Sequence, residues 1–302
     1  MISSLSSNNQ QFVNNLQQIT DELNKDVLAI SSGVQMRQVS DNPDQVSSLL
    51  QARAALATSQ QISTNLASVT NEVDTGEQAL EGAVQLFDTV QTLGAEGATG
   101  TQTATSRAAL AQQLQTVEQQ MVGLANTTAN GRYIFSGDTD QTAPYTFDLT
   151  QADPVSEYQG AASTRIAQDA EGGTFPIALT AQQIFDSSDP TTNAFTAING
   201  LVTALNDNDQ TEIQTSVNGL AGVAVYLNTQ LAFYGTAQDQ VASATNFAAT
   251  QQVEIQTQIS TLEDTDMASA ITDMTQTQTQ EQAALTAEGQ IPRTTLFDFL
   301  VS

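Results

Sequence analysis

The side chains able to do chemistry are few in this sequence, and the missing types exclude more than the present ones suggest. Cys, His and Trp are absent, which removes thiol and imidazole nucleophiles, the commonest general base and the usual ligands of zinc, copper and iron. Carboxylates remain. The run Asp207-Asn208-Asp209-Gln210-Thr211-Glu212 resembles the opening of a calcium loop, but it lacks glycine at the sixth position and glutamate at the twelfth. A capped turn before a helix accounts for it. Asp138 and Asp140 read as turn formers, and Glu263, Asp264 and Asp266 as an acidic break between helices. Gly94, Gly97 and Gly100 suggest a phosphate cradle by their spacing, yet no strand precedes them and no Lys follows. They read as a turn between antiparallel helices. No catalytic, metal-binding or cofactor-binding residue is assigned, and the chain reads as a non-enzyme.

Charge narrows the partners. The 302 residues carry 33 acidic against 7 basic side chains, a formal net charge of -26, so nucleic acid and anionic membrane surfaces are poor partners. Only 13% of residues are charged, which leaves Gln, Thr, Ser and Asn to build the solvated surface. Met1 to Gln11 show no basic n-region and no apolar h-region, and no apolar run approaches the roughly 18 residues of a membrane span. Export, if it occurs, is expected to use a route that reads no conventional signal peptide.

The elements follow from hydrophobic spacing. Phe12, Leu16, Ile19, Leu23, Val27, Ile30 and Val34 alternate steps of three and four, one face of a helix. A break follows Gly33, and Asn42-Pro43-Asp44 reads as an N-cap, a first helical residue and a first-turn acid. From Leu49 to Phe87 a heptad pattern is almost unbroken, and a return helix carries Leu110, Leu114, Val117, Met121, Leu124 and Thr128, stopping at Asn130-Gly131. Short runs with β character come next, at 133–135, 145–147, 165–167 and 174–179, then a short amphipathic helix through Phe195, Ile198, Val202 and Leu205. Heptads resume at Ile213 and continue to Leu262, with Gln238, Thr245 and Gln252 as polar seam positions. The phase slips near Asp264, where Thr265 or Asp266 caps a last helix through Met267, Ile271 and Met274. The expected fold is mainly α: a long antiparallel heptad-patterned rod, a small β-rich inserted domain and helical terminal segments. The expected segments are a terminal helix at 1–33, a linker at 34–45, the first part of the rod at 46–137, the insertion with its short helix at 138–209, the returning rod at 210–263 and a second terminal helix at 264–302.

Three stretches resemble the flagellin superfamily of bacterial axial proteins. Ile30-Ser31-Ser32-Gly33 followed by Ser40-Asp41-Asn42-Pro43 is similar to its N-terminal signature. Leu262-Glu263-Asp264-Thr265-Asp266-Met267-Ala268 is similar to its C-terminal break, and the tail ends in Leu296-Phe297-Asp298-Phe299-Leu300. Within the superfamily, Asn130-Gly131-Arg132-Tyr133-Ile134-Phe135-Ser136-Gly137 resembles the hook-filament junction subfamily, whereas Pro292 is as close to flagellin tails.

The resemblance implies a structural subunit of the flagellum between hook and filament, with the filament subunit itself as the alternative. A cytoplasmic helical signalling protein is the more distant one. It implies location outside the cell, export without a cleaved signal, and as partners further copies of the chain, the hook-side junction protein (hook-associated protein 1), flagellin and an export chaperone. The apolar positions assigned to subunit contact are Phe12, Leu16, Ile19, Leu23, Ile30, Met267, Ile271, Met274, Leu285, Leu296, Phe297, Phe299 and Leu300. Arg132, with Tyr133 and Phe135, is assigned to the join between rod and insertion through a carboxylate or carbonyl, or else is an exposed arginine with a packed stem. The two terminal helices are expected to pair on assembly rather than in the free chain.

Overall fold

The computed structural model describes residues 2–36 and 43–290. Its elements are the helices α1 (Ile2–Ser32), α2 (Pro43–Gly97) and α3 (Ala104–Ala125), the strands β1 (Thr128–Ala129), β2 (Arg132–Tyr133), β3 (Ile166–Gln168) and β4 (Thr174–Pro176), and the helices α4 (Ala181–Phe185), α5 (Ala194–Asn206), α6 (Gln210–Glu263) and α7 (Met267–Gln290). The chain forms two compact units, one from residues 1–57 and 253–302, the other from residues 58–252.

In the terminal unit α1 packs against α7. The pairing lies within one chain. Small side chains explain the fit: Ala270 and Thr277 are the buried residues of α7, seven positions apart and so on one face. The two phase breaks seen in the sequence meet. Val34 and Asp264 form an antiparallel bridge, the Gln35 amide donates to the Glu263 carbonyl at 2.7 Å and the Thr265 amide donates to the Gly33 carbonyl at 2.9 Å. Arg53 of α2 reaches the Glu263 carboxylate at 2.7 Å, and Met36, Leu49, Ala52 and Ile259 form a small core beside it. Asp266 caps α7, its carboxylate accepting from the Ala268 and Ser269 amides at 2.9 and 3.2 Å.

The second unit is built on one main core, with a smaller cluster of Leu66, Ala244 and Ala248. Val73, Leu80, Phe87, Leu114, Met121, Leu220 and Leu227 from the long helices share the main core with Tyr145, Ile177, Phe185 and Phe195 from the segment between them. Segment 138–209 therefore has no core apart from the helices, because α5 lies directly on α3. Its β content is slight: β1 pairs with β2, β3 pairs with β4, both antiparallel, and Phe147 bridges Val155.

Two differences from the sequence expectation have clear causes. α2 runs on through Gly94 to Gly97 instead of turning there. A Cβ on Gly94 would lie 3.0 Å from Leu201 and one on Gly97 2.5 Å from Leu205, so these glycines admit neighbouring leucines to the helix. At the other end α3 stops at Ala125, before Thr128. The Asn126 side chain bonds the Tyr145 backbone twice, donating to its carbonyl at 2.8 Å and accepting from its amide at 3.0 Å, which draws the chain into a strand path. Asn130 and Gly131, at φ 53° and 75°, then form the two-residue tip that such a hairpin requires.

Candidate assembly surface

The terminal unit leaves apolar side chains uncovered. On α1 the expected stripe of Phe12, Leu16, Ile19, Leu23 and Ile30 is half-buried, as is Met274 on α7. Met267, Ile271 and Leu285 of α7 remain 43%, 47% and 51% exposed, and Val13, Val27 and Leu28 of α1 remain 46%, 44% and 48% exposed. Burying one such side chain fully is worth about 1.5–3 kcal/mol. Val13 and Leu28 were not singled out by the sequence, since they lie off the main stripe. Leu296, Phe297, Phe299 and Leu300, with Pro292 and the cap Asn42, lie outside the described residues.

Carboxylates crowd the same helix pair. Burial first, then Asp273 of α7 and Glu22 of α1, hold the Asp26 carboxyl above the usual range, and the Thr277 hydroxyl offsets part of this. At neutral pH the ionised form is thus less comfortable in the paired helices than in solvent.

The residues assigned to the join, Arg132, Tyr133 and Phe135, stand in different surroundings. Arg132 is exposed and reaches Asp140 only at 3.5 Å. Arg165 instead binds Glu72 of α2 at 2.5 Å and Asp140 at 3.1 Å, with both side chains of the Glu72 pair largely buried. Tyr133 is half-buried in β2. Phe135 is wholly buried, edge-on to Phe185 and Tyr234, and its carbonyl accepts from Ala181 at 2.8 Å and from the Tyr158 hydroxyl at 3.1 Å. Arg107 is a second cation that the sequence did not reveal. It donates to the Gly97 carbonyl at 3.1 Å, to Asn208 at 2.7 Å and to Gln210, fastening the α2–α3 turn to the start of α6.

The acidic runs are structural. Asp209 caps α6 through the Thr211 and Glu212 amides at 2.8 and 3.0 Å. Glu118 is different: it is buried, neither carboxylate oxygen has a partner, and burial, helped by Asp153, pushes it up to about 8. No helix among the described residues is long and apolar enough to cross a membrane.

Comparison with known proteins turns this arrangement into a family. Residues 2–140 match the bacterial flagellin N-terminal helical region and residues 224–300 match the bacterial flagellin C-terminal helical region. The chain belongs to the bacterial flagellin family. Inside it, the chain is similar to flagellar hook-associated protein 3 of Escherichia coli K12, 26% identical over 297 residues, with 89% of this chain and 90% of that protein covered. It is also similar to flagellar hook-associated protein 3 of Salmonella typhimurium LT2, 29% identical over 236 residues, with 68% and 73% covered. Solved structures of FlgL share the fold: that from Xanthomonas campestris has a TM-score of 0.59 at 18% identity, covering 70% of this chain and 99% of that one. Bacillus cereus FlgL has a TM-score of 0.56 at 18% identity, covering 69% and 98%. The two flagellin regions thus include the paired ends of the chain and reach well into the long helices.

Proposed function

We propose that this chain is a structural subunit of the bacterial flagellum that joins the hook side to the filament, without catalysis and without a cofactor. The observation that carries this reading is the match to hook-associated protein 3 along nearly the full length of both chains. The uncovered apolar residues of the α1–α7 pair supply its physical basis. Segments 1–33 and 264–302 serve axial packing, Phe12, Leu16, Ile19, Leu23 and Ile30 hold the pair together, and Met267, Ile271, Met274 and Leu285 meet neighbouring subunits, joined by the tail residues Leu296, Phe297, Phe299 and Leu300. The partners are further copies, the hook-side junction protein, flagellin and an export chaperone, and the chain leaves the cell without a cleaved signal. Deleting the gene tests this by electron microscopy. Cells should keep their hooks, lose their filaments and shed flagellin into the medium, whereas normal filaments on the deletion strain would refute a junction role.

A further inference from the structure

The middle unit, residues 58–252, carries many carboxylates, and its basic residues are Arg107, Arg132 and Arg165. Arg107 is buried and Arg165 is spent on Glu72 and Asp140. Arg132 alone of these stands out in solvent, its side chain 49% exposed and loosely held by an Asp140 that already serves Arg165. It follows the rigid two-residue tip of the β1–β2 hairpin, so little ordering is needed for it to meet a partner. When copies of a chain with net charge -26 are packed together, any attraction between their middle units that rests on an ion pair must run through this side chain.

A receiving site exists on the same unit. A groove of about 650 Å³ lies between the β3–β4 hairpin and α6, with Asp169, Glu171 and Asp239 on its rim and Phe175 and Phe247 among its walls. Phe247 is 40% exposed. A planar guanidinium suits such a place, since it pairs with a carboxylate while stacking on an aromatic face. We propose that the Arg132 hairpin of one copy docks in the acidic, phenylalanine-walled groove of a neighbouring copy, giving the middle units a lateral contact separate from that of the terminal helices. This rests on the assembly role proposed above.

The chain has no cysteine, so introduced cysteines report unambiguously. Two populations are expressed together in the deletion strain, one bearing Thr128→Cys beside the hairpin tip and the other Ser243→Cys in the groove, and flagella are isolated and oxidised. A mixed disulfide dimer is expected. Adding Arg132→Glu should lower its yield about tenfold, and adding Asp239→Arg to the other population should restore it. Flagella that contain both chains but give no mixed dimer, or a dimer indifferent to Arg132→Glu, would overturn the contact and leave the assembly role standing, as would cross-linking only to a different flagellar protein. Absence of the chains from flagella would overturn both.

Discussion

At the scale of single residues, two buried charges separate what holds the middle unit from what decorates it. Arg165 lies 93 residues from Glu72 and is largely buried against it, so Arg165→Met leaves a carboxylate in the core without its counter-ion. Chemical denaturation should show a loss of about 3 kcal/mol, while Arg132→Ala, at an exposed and long pair, should shift stability by less than about 0.5 kcal/mol. Glu118 predicts a pH dependence. Its carboxyl keeps its proton up to about 8 when folded but ionises in the ordinary range when unfolded, so the folded state binds the extra proton. Stability from this group is full at acid pH and falls by about 1.4 kcal/mol per pH unit between those two values, then levels off. Glu118→Gln should remove that slope, which melts of both proteins from pH 5 to 9 would read. Neither Arg165 nor Arg107 was legible in the sequence as a fastening, because their partners Glu72 and Asn208 lie 93 and 101 positions away. Spacing arguments reach one or two helical turns and no further. Asp209 and Asp266 were legible, since a cap acts on amides two or three residues ahead.

Elements were easier to foresee than the contacts between them. The apolar steps through Phe12, Leu16 and Ile19 and the heptads from Ile213 onward give α1 and α6, because amphipathic period is a property of the chain alone. Strand β1 was misread as the end of a helix, since the Asn126 bonds to Tyr145 that draw the chain aside are tertiary and override local propensity. The clasp between Gly33 and Glu263 shows that two breaks in phase, far apart in sequence, are one place in the structure. Beside it, the α1–α7 pair is held with deliberate weakness: few side chains of α7 are buried and carboxylates face each other across it. An acid held above its usual range binds protons more tightly in the paired state, so pairing strengthens as pH falls through that range. Asp26→Asn should therefore protect the α1 amides from hydrogen exchange more than the native chain at pH 7, with the difference vanishing in acid. Equal protection at both would show that the carboxylate does not oppose pairing.

For the whole molecule, composition excluded more than it identified. The lack of His and Cys and the charge of -26 speak against most catalysis and against nucleic acid, but it is the match of both ends to flagellin regions that gives the uncovered apolar side chains a meaning. The proposed assembly role would have neighbours complete the half-buried stripe of the terminal helices. Whether those neighbours are a few copies at one level or thousands along a filament is the central question, because flagellin shares the same ends. Gold labelling of an exposed epitope on the native protein in intact flagella, viewed by electron microscopy, answers it directly. The account predicts a single narrow band where hook meets filament; label distributed along the filament would contradict it and make the chain a filament subunit.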